Sequence, residues 1–255
     1  MTIRAIVFDL FDTLVDLRWE RLPVVEHDGK RIPGSSQVLY ERVAREQDLP
    51  MDAFMEAMRA NAQGFARSHY AQDKEVPTPL RFRALLRELE IEAAGLADEL
   101  TELHMGVLQS AVENLPHHPA VLDRLAEHVS LAVCSNFSHS PTALSVLENA
   151  GLRDRFSPGS IIVSDAFGLR KPRAEIFEAA LDPLGVAPEE TLHVGDSLRA
   201  DVGGASPLGI RTVWITRRIS DHDKALREHE GPEPDFVIQD LDELPTLVRS
   251  LAGAS

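Results

Sequence analysis

Six short apolar runs punctuate this chain: Ala5–Phe8, Leu131–Cys134, Ile161–Val163, Leu192–Val194, Thr212–Ile215 and Phe236–Ile238. Strands this brief and this apolar suit the middle of a sheet buried on both faces. Segments with helical spacing lie between them, near Pro141–Ala150, Ala174–Leu184 and Leu198–Leu208. The alternation predicts an α/β class, a parallel sheet covered by helices.

From about Leu17 to Pro116 the period changes. Gln37–Gln47, Asp52–Arg67, Thr78–Leu89 and Leu96–Glu113 have the spacing of amphipathic helices, with Phe54, Met55, Met58, Ala62 and Phe65 recurring along the second. Thr78-Pro79 supplies a helix start with proline in the first turn. Ahead of these helices, His27-Asp28-Gly29-Lys30 predicts a hairpin turn. The expected organisation is therefore a core built from residues 1–16 and 117–255, with a mainly helical insert at 17–116.

The 255 residues carry 41 acidic and 26 basic side chains, a formal charge of −15. That balance argues against nucleic acid or an anionic membrane surface as a partner. No apolar run reaches the ~18 residues needed to span a bilayer. Cys134 is the sole cysteine, which excludes an intrachain disulfide and a cysteine zinc site. The chain opens on a strand without a basic or long apolar leader, so a cytoplasmic location is expected. The oligomeric state is not readable, and a homodimer stays open.

Several runs stop on residues suited to chemistry. Ligands of open α/β sheets sit beyond the carboxyl ends of the strands. The first run ends in Phe8-Asp9-Leu10-Phe11-Asp12-Thr13-Leu14, where Asp9 is the candidate nucleophile. Thr13 either holds that carboxylate or a substrate oxygen, or caps the turn. Ser135-Asn136 closes the second run and can bind a phosphoryl oxygen at a strand-to-helix turn. Lys171 in Arg170-Lys171-Pro172 can balance the charge of nucleophile and substrate. Gly195-Asp196, followed by Asp201, adds carboxylates. Asp9, Asp196 and the Phe11 carbonyl form a candidate Mg²⁺ site, with Asp201 behind it orienting Lys171 or a metal-bound water. Candidate substrate contacts in or next to the insert are Arg18, Trp19, Arg81 and Arg83. The pairs His69-Tyr70 and His117-His118, and His104, have no metal-ligand spacing.

In their order, Phe8–Leu14, Ser135, Lys171 and Gly195-Asp196 through Asp201 resemble the haloacid dehalogenase (HAD) superfamily. The resemblance implies a Rossmann-like core, a helical cap inserted after the first motif, and an aspartyl-enzyme intermediate. One departure matters. Phosphatases of the superfamily usually carry an acid/base aspartate two residues after the nucleophile, where this chain has Phe11. Dehalogenase members carry an aromatic residue there, and they need no metal. The retained Asp196 and Asp201 weigh toward a Mg²⁺-dependent phosphatase acting on a small phosphorylated molecule. A 2-haloacid dehalogenase and a non-catalytic binding member are the alternatives. Asp12, one residue on, stands either as a turn residue or as a displaced acid.

Overall fold

The computed structural model describes residues 2–253. Contacts divide the chain into two compact units, 1–16 with 114–255, and 17–113. The return crossing thus lies at 113/114, three residues before the boundary expected from the sequence.

In the larger unit, strand β1 (Ala5–Phe8) runs straight into Asp9. Strand β2 (Val15–Leu17) leads out of this unit and β5 (Val112–Asn114) leads back. These two pair as a small sheet of their own. The smaller unit holds the hairpin β3–β4 (Val24–His27 and Lys30–Pro33) and four helices. They are α1 (Ser36–Val43), α2 (Met51–Ser68), α3 (Thr78–Glu88) and α4 (Leu96–Ser110). The hairpin turn is Asp28-Gly29, both at positive φ, +50° and +67°, as a two-residue turn requires. Leu39, Phe54, Phe82, Leu85, Leu96 and Leu100 form the core of this unit. The expected helix Leu96–Glu113 stops early, because Val112–Asn114 turns extended and the Ala111 carbonyl accepts from Arg18 N–H at 2.9 Å.

After α5 (His118–Ala126) come β6 (Ser130–Ser135), α6 (Ser140–Asn149), β7 (Ile161–Val163), the short α7 (Ser164–Phe167) and α8 (Ala174–Leu181). Strands β8 (Thr191–Gly195), β9 (Arg211–Ile215) and β10 (Phe236–Ile238) complete the sheet. Its order is β10-β9-β8-β1-β6-β7, and every neighbouring pair is parallel. Val7, Ala132 and Cys134 pack with Ile176, Phe177 and Ala180 of α8. The alternate residues Ile6, Phe8, Leu131 and Val133 are equally buried, so both faces are covered.

The expected helix Leu198–Leu208 is broken. A wide π turn spans Leu198–Val202, and tighter turns follow through Leu208. In the π turn the Ser197 carbonyl accepts from Val202 N–H at 3.3 Å, five residues on, and the Asp201 side chain folds back to accept from Ser197 N–H at 2.9 Å. Gly204 then passes so close to its neighbours that a Cβ there would sit 2.6 Å from the Phe177 ring and 2.9 Å from Pro172 Cα.

That contact predicts a contrast between two glycines. Gly204→Ala should destabilise the chain by about 1–3 kcal/mol through overpacking. Gly64→Ala, inside α2 with nothing within 4 Å of the added carbon, should stabilise it by roughly 0.5–1 kcal/mol. Urea melts of both variants check this, and effects of the same sign would show that the Gly204 contact yields.

Candidate active site

Register brings the chemistry together. Phe8 of β1 sits opposite Val133 of β6 and Val194 of β8, so Asp9, Ser135 and Asp196 leave adjacent strands at one edge. Asp9 N–H still donates to the Val194 carbonyl at 2.9 Å, which holds the residue in line with its strand.

Lys171 is 2% exposed and joins two carboxylates. Its Nζ donates to Asp9 Oδ1 at 2.7 Å and to Asp201 Oδ1 at 2.6 Å. Burial works against the charged amine, but Asp201 and Asp9 outweigh it and hold the ammonium protonated. Asn136 fixes the backbone of this lysine: its Oδ1 accepts from Lys171 N–H at 2.7 Å and its Nδ2 donates to the Lys171 carbonyl at 3.0 Å. The Asn136 side-chain amide is thus occupied in aiming Lys171.

Asp201 also accepts from His193 Nε2 at 2.9 Å. Burial would raise its carboxyl, but Lys171 and His193 hold it well below the usual carboxylate range. The side chain lies against Gly195, where a Cβ would fall 2.2 Å from Asp201 Cγ. That position therefore requires glycine.

Asp9, Asp196 and Asp201 offer oxygens that all lie within 4.8 Å of one another. Burial, opposed in part by Lys171, pushes the Asp9 carboxyl up to about 6. Asp196 goes further, to about 8, through burial and then the charges of Asp9, Asp201 and Asp12. Three carboxylates share one ammonium, and both oxygens of Asp201 are already taken. The oxygen-only donor set and its excess of negative charge fit a hard divalent cation such as Mg²⁺. Asp9 and Asp196 are the carboxylates free to hold it.

Two hydroxyls close by, Thr13 Oγ1 and Ser135 Oγ, are buried with no hydrogen-bond partner among the described residues. Phe11 lays its ring against Phe137 with centroids 4.7 Å apart, an apolar contact where a proton donor would otherwise stand. Asp12 takes the left-handed conformation, φ +57°, and its Oδ1 lies 3.7 Å from Arg218 Nε. Both features suit a turn residue better than a displaced acid.

Arg18, expected as a substrate contact, is engaged by acidic neighbours. In the smaller unit it donates to Glu113 and lies 3.6 Å from Glu20, and Glu113 also pairs with Arg21 at 2.9 Å. Arg83 reaches Asp98 at 3.4 Å, and Trp19 is exposed.

A second polar cluster gathers around Arg217 and takes in the His117-His118 pair. Arg217 pairs with Asp16 at 2.6 Å and Asp240 at 3.3 Å. His117 Nε2 lies 2.7 Å from Asp240, and the buried His118 donates from Nδ1 to the Leu14 carbonyl at 2.8 Å. His117, His118 and Asp240 are close enough to share an ion, but the Arg217 guanidinium already supplies the positive charge there. His193 is a site residue that the sequence reading missed.

Comparison with known proteins now adds to this geometry. Residues 3–209 match the family model of haloacid dehalogenase-like hydrolases. A phosphoserine phosphatase of Thermus thermophilus is 34% identical over 172 residues, 65% of this chain and 64% of that enzyme. An (S)-2-haloacid dehalogenase of Xanthobacter autotrophicus is 29% identical across 99% of this chain and 97% of its own. The solved 2-haloacid dehalogenase of Pseudomonas syringae superposes with a TM-score of 0.70 at 22% identity, covering 98% of this chain and 100% of that one. That likeness speaks to the fold. A Bacillus subtilis HAD hydrolase has been solved bound to magnesium. No described helix is long and apolar enough to cross a membrane.

The raised carboxyls carry a signed prediction. Above the ordinary aspartate value of 3.8, folded Asp9 up to about 6 and folded Asp196 up to about 8 hold protons that the unfolded chain has released. Stability without metal should therefore fall as pH rises through that window. Asp201, with its depressed value, contributes stability that is lost only below 3.8. Asp196→Asn should then exceed the parent by at least about 1 kcal/mol at pH 8 and match it near pH 4. Urea melts in EDTA at both pH values measure the gap, and a gap independent of pH would contradict it.

Proposed function

The chain belongs to the haloacid dehalogenase-like hydrolases, and within that family we propose that it is a Mg²⁺-dependent phosphatase of small phosphorylated molecules, with Asp9 as nucleophile. The observation that carries the reading is the surplus of carboxyl groups at Asp9, Asp196 and Asp201, whose oxygens lie within 4.8 Å of one another and which, among the described residues, meet a single ammonium, that of Lys171. A site built this way asks for a cation before it can receive a phosphate.

Asp9, Asp196 and the Phe11 carbonyl would hold the metal, which when bound would neutralise charge on the phosphoryl oxygens. Lys171 keeps Asp9 ionised and aimed. Asp9 then attacks phosphorus, forming an acyl phosphate as the bond to the leaving oxygen breaks. Water cleaves the acyl phosphate, releasing orthophosphate and restoring the carboxylate. Thr13 and Ser135, with their unpaired hydroxyls, donate to phosphoryl oxygens. Asp201 and Asn136 position Lys171. Phe11 cannot protonate the leaving oxygen, so substrates whose leaving group has a low pKa, acyl or aryl phosphates, suit the site.

A second reading, 2-haloacid dehalogenation by the same Asp9, is favoured by Phe11 and by the full-length similarity to the Xanthobacter enzyme. A panel of phosphate esters and acyl phosphates, assayed with Mg²⁺ and with EDTA, separates the two. Phosphate release should need Mg²⁺ and fall at least about a thousandfold in Asp9→Asn. Halide release from short 2-haloacids in EDTA, without phosphate release from any compound, would favour the dehalogenase.

A further inference from the structure

His193 stands in the middle of β8, a run that is otherwise apolar around it. It lies in register with Val7 of β1 on one side and Thr212 of β9 on the other. It is 1% exposed, and its ring meets Phe177 edge-on with centroids 5.0 Å apart. An aliphatic residue would fill this position with less difficulty. Burial drives the imidazole toward its neutral form, and its Nδ1 is buried without a partner among the described residues. A buried, unpaired ring nitrogen is unfavourable. What the histidine provides in return is its other nitrogen.

That nitrogen, Nε2, lies 2.9 Å from Asp201 Oδ1, the same oxygen that accepts from Lys171 Nζ at 2.6 Å. An ionised carboxylate only accepts, so Nε2 carries the hydrogen and donates. The other oxygen, Oδ2, accepts from Ser197 N–H at 2.9 Å. With a fixed donor on each oxygen, the carboxylate has one orientation, and Oδ1 points at Lys171. The lysine stem is long and rotatable, whereas the ring is anchored to a central strand and wedged against Phe177.

We infer that His193 is a positioning residue: its Nε2–H locks the Asp201 carboxylate, and Asp201 in turn holds the Lys171 ammonium against Asp9. The inference rests on the reading of Asp9 as the reacting carboxylate only for its effect on turnover. The hydrogen-bond chain itself can be tested without a substrate.

Two variants separate the N–H from the packing. His193→Gln keeps an N–H donor near Nε2, and His193→Leu fills the space without one. The chain has four lysines, so ¹⁵N-lysine NMR can follow Lys171, identified by its loss in Lys171→Met. A slowly exchanging Lys171 ammonium signal is expected in the parent and in His193→Gln. It should exchange fast or vanish in His193→Leu, with no matching fall in melting temperature. On any substrate the parent hydrolyses, kcat of His193→Leu should drop about tenfold to a hundredfold while KM stays nearly unchanged, and His193→Gln should recover most of it. An intact Lys171 signal in His193→Leu would overturn the inference, as would losses in both variants that simply track melting temperature. If the parent turns over no phosphorylated compound, the proposed function fails while the NMR result still decides the role of His193.

Discussion

A buried ammonium holds this active site together. Lys171 is almost wholly removed from water, and an isolated charge there would be strongly unfavourable. It is tolerated because Asp9 arrives from the end of β1 and Asp201 from the turn after β8, each within 2.7 Å. Removing both carboxylates would leave the ammonium as an uncompensated buried charge, a loss on the order of 3–5 kcal/mol. The lysine thus couples three separate stretches of sequence, and their geometry follows from it. Asn136, at the end of β6, clasps the lysine backbone. Gly195 is bare so that Asp201 can lie across it. In the π turn after β8, the Asp201 side chain folds back on Ser197.

The sheet order explains why these residues meet. With β1 between β8 and β6, one residue past the end of β1 faces the ends of both neighbours. Parallel strands place all their carboxyl ends on the same side, so the polar residues that end each run gather there. The apolar residues inside the runs are consumed in packing on both faces. His193 is a buried polar residue within a strand, and its Nε2 is turned to the Asp201 carboxylate.

This division governs what the sequence could reveal. The six apolar runs correspond to the six strands of the sheet, because strands buried on both faces have little freedom in composition. Asp9, Ser135, Lys171, Asp196 and Asp201 were legible as strand-end or loop residues in a fixed order, and the Asp28-Gly29 turn through its demand for positive φ. What stayed hidden depends on contacts between distant segments. β2 and β5 are three residues long and exist by pairing with each other, so Leu96–Glu113 read as one helix. Arg217 and Asp16 lie far apart in the chain. The commitment of the Asn136 side chain to the Lys171 backbone appears only after folding. His193 looked like one more residue of an apolar run.

The balance between phosphoryl transfer and dehalogenation turns on electrostatics more than on Phe11. In both reactions a carboxylate attacks and negative charge develops on what departs or is transferred. A phosphoryl group brings its own charge and spreads it over three oxygens, and a site already carrying surplus carboxylates would repel it unless a cation were present. Displacement of halide also expels an anion, and in a site without metal Asp196, pushed up to about 8, holds a proton and gives that departure no help. A metal-free dehalogenase therefore gains nothing from Asp196, a group that burial and three neighbouring aspartates push toward protonation. A phosphatase needs that carboxylate as a ligand, and its unfavourable setting is relieved when a divalent cation enters. Phe11 removes a proton donor, which narrows the leaving groups a phosphatase can expel. It does nothing to offset the charge of Asp196. The unbalanced carboxylate thus favours the proposed metal-dependent phosphatase, while the missing acid favours the dehalogenase.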